Sequence, residues 1–141
     1  MAMTDAMAEG RASAFDVGSE LPACVKTLTQ RKIDDYARSS GDGNPLHTDP
    51  AFAATTRFGG TIAHGMLILA YVSEMLTAAF GPAWLASGRL KVRFRAPARP
   101  GDTVTAGGRV LRVAGGLVAC VVECRNQAGE VLVSGEAEVT L

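Results

Sequence analysis

The stretch from Ser40 to Pro50, SGDGNPLHTDP, sets Asp42, Asn44 and His47 among glycines and prolines just ahead of a long apolar run. An Asp and a His five residues apart in a loop can hold one water and move protons to and from it. The chain has two histidines, and the other, His64, stands next to Gly65 where the apolar run begins. A helix starting there directs the unpaired N–H groups of its first turn, and the positive end of its dipole, at whatever precedes it. That suits a developing oxyanion. A loop folded across this end would place an acid/base pair beside an oxyanion hole, as proton chemistry next to a carbonyl requires. Turn formation alone accounts for the same residue types: Asp and Asn make Asx-turns and caps, Pro45 stiffens the loop, and His47 satisfies a backbone carbonyl.

Several elements must position these groups. Leu21 to Thr29, LPACVKTLT, carries β-branched residues in rough alternation and reads as a first strand. Thr29 then caps a short amphipathic helix with Ile33, Tyr36 and Ala37 on one face, ended by the glycines at 41 and 43. Asp49 followed by Pro50 signals the start of a second short helix. Ala63 to Phe80 is the most apolar segment, closed by Gly81 and Pro82. It is shorter than the roughly twenty apolar residues of a membrane span and contains His64, Ser73, Glu74 and Thr77, so it reads as a buried helix. The second half supplies a wrapper of long β-rich runs separated by turn residues at RPGD, AGG and NQAGE. In the last run Val131, Val133, Ala137, Val139 and Leu141 share one face, with Ser134, Glu136, Glu138 and Thr140 on the other. One wet side implies an antiparallel sheet, and a sheet curled round one helix is α+β.

The 141 residues fit one domain, expected at 16–141 behind a loose tail at 1–15. Fourteen basic and fourteen acidic residues cancel, so no broad field recruits nucleic acid or an anionic membrane. Cys120 and Cys124 lie in one strand about 13 Å apart, too far for a disulfide, and read as small core residues. With Cys24 they make an odd set, which suggests a reducing compartment. The first residues lack the basic start and sustained apolar core of a signal peptide, so a cytoplasmic location is expected. No ligand spacing links His47, His64 and a cysteine to a metal, and no glycine pattern for a nucleotide triphosphate or NAD precedes a helix.

From Ser40 to about Thr77 the chain, beginning SGDGNPLHTDPAFAATTRFGGTIAHGML, resembles the hydratase-2 motif of the MaoC-like, R-specific enoyl-CoA hydratases. The Asp, the Asn-Pro-Leu-His, the Asp-Pro-x-x-Ala and the His-Gly-Met come in the family's order and spacing. The resemblance implies a hot-dog fold, with Asp42 and His47 as the catalytic pair and the Gly65 backbone N–H holding the thioester carbonyl oxygen. It also implies a supporting role for Asn44, and positions lining the acyl pocket for Ser73 and Leu76. The product would be an (R)-3-hydroxyacyl thioester, made without metal or redox cofactor, coenzyme A or the phosphopantetheine of acyl carrier protein arriving with the substrate. A homodimer, or a multiple of it, is expected, because the sheet is too small to hide so apolar a helix together with a substrate tunnel.

Arg89, Lys91, Arg93 and Arg95 alternate with Leu90, Val92 and Phe94. Such a row is either a solvated strand face or a seat for the phosphates of a thioester carrier, Arg93 and Arg95 being the candidates. His64 is either a substrate-side group or a helix-start histidine bonded to neighbouring backbone. Two rivals remain open: a hot-dog thioesterase, for which Glu74 is the carboxylate on the central helix, and a non-catalytic acyl-thioester binding subunit.

Overall fold

The computed structural model describes residues 15–141. Its centre is the apolar run, which forms α4 (Gly65–Phe80) after three shorter helices, α1 (Gln30–Ser40), α2 (Pro45–Thr48) and α3 (Pro50–Ala54), and before α5 (Pro82–Ser87). Around it run β1 (Cys24–Thr27), β2 (Arg89–Phe94), β3 (Thr103–Ala114), β4 (Leu117–Arg125) and β5 (Val131–Thr140). They form one antiparallel sheet in the order β1-β3-β4-β5-β2. Leu67, Val72, Met75 and Leu76 of α4 pack onto Val104, Val110, Val118 and Val139 of the sheet. Each such side chain contributes about 1.5–3 kcal/mol by leaving water. Cys120 and Cys124 sit in the same core as free thiols, which burial pushes up to about 11 and about 12.

Local chemistry sets most element ends. Thr29 caps α1, its side chain accepting from the Lys32 N–H, and Gly41 stops the helix at φ 79°. Asp49 caps α3, with Pro50 in its first turn. Gly115 and Gly116, both at positive φ, make the two-residue turn between the paired Ala114 and Leu117.

Three details depart from the expected pattern. The first strand is only four residues long. Leu21 still donates to Gly108 O, but Pro22 has no N–H to continue the ladder. In β5 the register shifts so that Cys124 faces Val133 and Arg125 faces Val131, leaving Leu132 unpaired in a bulge and fully buried beside Val133. The carbonyl of Leu132 then accepts from both Arg95 N and Ala96 N, tying the chain beyond β2 to β5. Third, the sheet covers one side of α4 only: Met66 is 57% exposed, and Ala70, Glu74 and Ala78 face outward with it. Of the expected tail, residues 1–14 lie outside the described residues, while Phe15 packs its ring, tilted, against Phe80 with centroids 4.9 Å apart.

Candidate active site

The loop after α1 is built by its own polar side chains. Asp42 Oδ1 accepts from the Asn44 N–H at 3.2 Å, and Asn44 Oδ1 accepts from the Leu46 N–H at 3.0 Å, capping α2. Pro45 opens that one-turn helix and His47 is its third residue. Asn44 therefore supports the site by starting the turn that carries His47.

Longer-range bonds then orient the imidazole. His47 Nδ1 lies 2.8 Å from the carbonyl oxygen of Ile62. A carbonyl can only accept, so Nδ1 carries the proton and Nε2 of the neutral ring keeps its lone pair for chemistry. One nitrogen of the ring thus satisfies backbone, and the other is left available for acid/base chemistry. Gln30 holds the same turn from α1: its Nε2 donates to His47 O at 2.8 Å and to Asp34 Oδ1 at 2.9 Å, while its Oε1 accepts from Thr61 Oγ1 at 2.6 Å. Nothing in the sequence flags Gln30, Thr61 or Ile62. Their bonds span 15 to 31 positions and use groups that every surface segment contains.

His64 occupies the cap position of α4 and is buried, at 2% exposure. Its ring stacks on that of His47 with centroids 3.8 Å apart and planes 25° from parallel. Its Nε2 lies 3.1 Å from Asp42 O, so it bonds backbone, as one of its two expected roles required, but backbone 22 residues away. Ligand atoms of Asp42, His47 and His64 lie within 4.8 Å of one another. One nitrogen of each ring is committed to a carbonyl, which leaves one nitrogen per ring and the Asp42 carboxylate, one donor short of a closed tetrahedral cage.

Just beyond His64, the N–H groups of Gly65 and Met66 have no carbonyl four residues back within the helix. Gly65 lets the Phe94 ring approach this end closely: a methyl there would sit 2.9 Å from Cε1 of Phe94. A cavity of about 300 Å³ opens alongside, lined in part by Arg57, Phe58, Ile62, Gly65, Phe94 and Arg95. Asp42 is exposed and His47 half-buried, so solvent reaches the pair.

The other expected residues lie elsewhere. Ser73 is eight positions along α4, about 12 Å at 1.5 Å per residue, where its Oγ accepts from Trp84 Nε1 at 3.0 Å. Leu76 is fully buried in the core. Neither lines the cavity beside Gly65. Along β2, Arg89 and Lys91 face Glu138 and Glu136 of β5, whereas Arg93 faces Ser134, whose hydroxyl also takes a 3.0 Å bond from Arg95 Nε. Carboxylates thus stand across the ladder from the first two cations and not from Arg93. Glu74, the carboxylate a thioesterase would need, is exposed and paired with Lys26 Nζ of β1 at 2.9 Å.

A curled antiparallel sheet packed along one side of one long helix is the hot-dog architecture. Comparison with known proteins carries the identification further: residues 17–130 match the model described as MaoC like domain, and the chain belongs to that family. An (R)-specific enoyl-CoA hydratase of Aeromonas caviae is 35% identical, over 92% of this chain and 98% of the relative. A second (R)-specific enoyl-CoA hydratase, from Rhodospirillum rubrum, is 38% identical over 82% of this chain and 81% of its own length. Among solved structures, R-hydratase PhaJ1 from Pseudomonas aeruginosa in the unliganded form superposes with a TM-score of 0.81 at 33% identity, covering 92% of this chain and 83% of that one.

Proposed function

We propose that this protein catalyses the reversible hydration of trans-2-enoyl thioesters to (R)-3-hydroxyacyl thioesters. The observation that carries the reading is a histidine whose Nδ1 is committed to Ile62 O, leaving Nε2 without a partner, in a ring that has a nitrogen within 4.8 Å of an Asp42 carboxylate oxygen, next to the first turn of α4. The activity for which its relatives are named supports it. A water held between Asp42 and His47 adds its oxygen to C3 and gives one proton to the pair. The pair returns a proton to C2, so that H and OH add across the double bond. Between the two steps the negative charge sits on the thioester oxygen, where the Gly65 N–H and the helix dipole stabilise it. Both proton movements are assigned to the pair. The residues that hold the water and the enolate are protein groups throughout, and the reaction calls for no metal or redox cofactor. Three free thiols fit a cytoplasmic setting.

Crotonyl-CoA tests this directly. Loss of the enoyl absorbance without release of free thiol, giving the R product, is the expected result. Thiol release would make the protein a thioesterase, and no change at all would make it a binding subunit.

Arg93 and Arg95 are proposed to meet the phosphates of the thioester carrier. The cavity beside Gly65 reaches Arg95, and no carboxylate lies across from either residue in the β2–β5 ladder. Changing both to Ser should raise KM for a CoA thioester more than for a truncated pantetheine thioester, with the difference shrinking as salt rises. Equal effects on both substrates would leave this face as ordinary solvated surface.

A homodimer is proposed as the working unit. Met66 at 57% and Val25 at 59% exposure leave apolar surface on α4 and β1, and β1 and β2 are both open sheet edges. Light scattering should report about twice the 14.6 kDa chain mass, or a multiple of that dimer, and activity should fall with the dimer on dilution. A fully active monomer would overturn this.

A further inference from the structure

His64 is the one polar or charged side chain buried among the described residues, and its Nδ1 is the one buried side-chain nitrogen or oxygen there without a hydrogen-bond partner. Leaving such an atom unpaired costs free energy that a phenylalanine in the same space would avoid. The side chain is not spent on its own helix: although His64 stands at the cap position of α4, it makes no capping hydrogen bond. Its two contacts run to the acid/base pair instead. Nε2 reaches the main-chain oxygen of Asp42 at 3.1 Å, and the ring face covers the His47 ring at 3.8 Å. The Tyr36 ring packs tilted against His64 with centroids 4.8 Å apart, so a second aromatic helps to hold it in place. His47, half-buried in a one-turn helix, has a single side-chain hydrogen bond and would otherwise be free to rock about it.

We propose that His64 is a positioning residue for the hydration, acting as the Nε2–H tautomer: it fixes Asp42 through that residue's main-chain carbonyl and His47 through the stacked ring. Both partners of the pair are thereby set against one buried side chain. The tautomer follows from the acceptor, since a carbonyl oxygen can only receive a proton from Nε2. Nδ1 is left as a bare lone pair with no donor beside it. The proposal rests on the hydratase reading above and adds to it a third side chain that need not touch substrate. Displacing either group by about 1 Å is enough to slow a proton-transfer step by about a hundredfold.

Two substitutions in the full-length protein separate the two contacts. His64→Phe keeps a ring to stack on His47 and loses the donor to Asp42 O, whereas His64→Gln keeps an N–H donor and loses the ring. With crotonyl-CoA, His64→Phe should lower kcat by about ten- to a hundredfold while KM stays within about threefold, its melting temperature holding or rising. His64→Gln should recover part of that loss. In the wild-type protein, ¹⁵N imidazole spectra should show His64 protonated at Nε2 and bare at Nδ1, a readout that stands even if a variant fails to fold. A His64→Phe variant with wild-type kcat, a kcat loss that merely follows a loss of folded protein, or a proton on Nδ1 in the wild type would each overturn the proposal. If Asp42→Asn and His47→Gln abolish hydration and His64→Phe does not, only this inference fails. If the wild type does not hydrate crotonyl-CoA at all, the hydratase reading fails first.

Discussion

Asp42→Asn and His47→Gln are each expected to lower kcat for enoyl-thioester hydration by at least about a hundredfold, the scale of a positioned acid or base. Asn cannot take the proton of the water, and Gln offers no lone-pair nitrogen in the place of Nε2. The fold should not respond strongly, because Asp42 is exposed and His47 only half-buried. The double variant should be little worse than the poorer single one, since the two groups handle one proton inventory and their losses do not add. Initial rates with crotonyl-CoA, read beside circular dichroism, decide the matter. Near-wild-type turnover in either well-folded variant would remove that residue from the chemistry.

The largest expected effect on stability comes from a single methyl group. In Gly135→Ala the new Cβ would lie 2.1 Å from the carbonyl oxygen of Lys91 and 2.8 Å from the α-carbon of Val92. Both are backbone atoms of the strand that pairs with β5 at Val92 and Gly135, so no side-chain rotation relieves the clash. Either β2 leaves the sheet or β5 bends. The expected loss is about 3 kcal/mol or more, a substantial part of the roughly 5–15 kcal/mol that holds a typical domain together. For a chain of this size that corresponds to a fall in melting temperature of roughly 10 °C. A variant melting within about 2 °C of the wild type would show that the β2–β5 ladder tolerates the added atom.

How much the sequence discloses depends on how far each determinant reaches along the chain. Thr29 finds its acceptor role at Lys32, Gly41 ends α1 in the left-handed region, Asp49 caps the helix that Pro50 opens, and Gly115–Gly116 closes a hairpin. All of these work within about four residues, and residue type alone announces them. The Asp42, Asn44 and His47 turn is legible for the same reason. The bonds that make the turn into a site are not, because Ile62 O, Asp42 O and His47 O are carbonyls, present at every position, and only folding selects which of them are used. The bulge at Leu132 escapes similarly: three apolar residues in succession, Val131 to Val133, break the alternation, but residue type does not say where the partner strand slips by one. Resemblance alone ties Ser73 and Leu76 to an acyl pocket, and in this chain one holds Trp84 and the other fills the core.

That the acid/base loop hangs on main-chain oxygens has a bearing on how such an enzyme can change. A carbonyl survives every substitution at its own residue, so the side chain of Ile62 can be exchanged while its oxygen goes on fixing the His47 tautomer. Ile62 also lines the cavity beside Gly65. On the proposed hydratase function, a substitution that reshapes this cavity can therefore fall on the very residue whose oxygen orients the His47 ring, without removing that oxygen. The wall of the cavity and the orientation of the imidazole rest on different atoms of one residue.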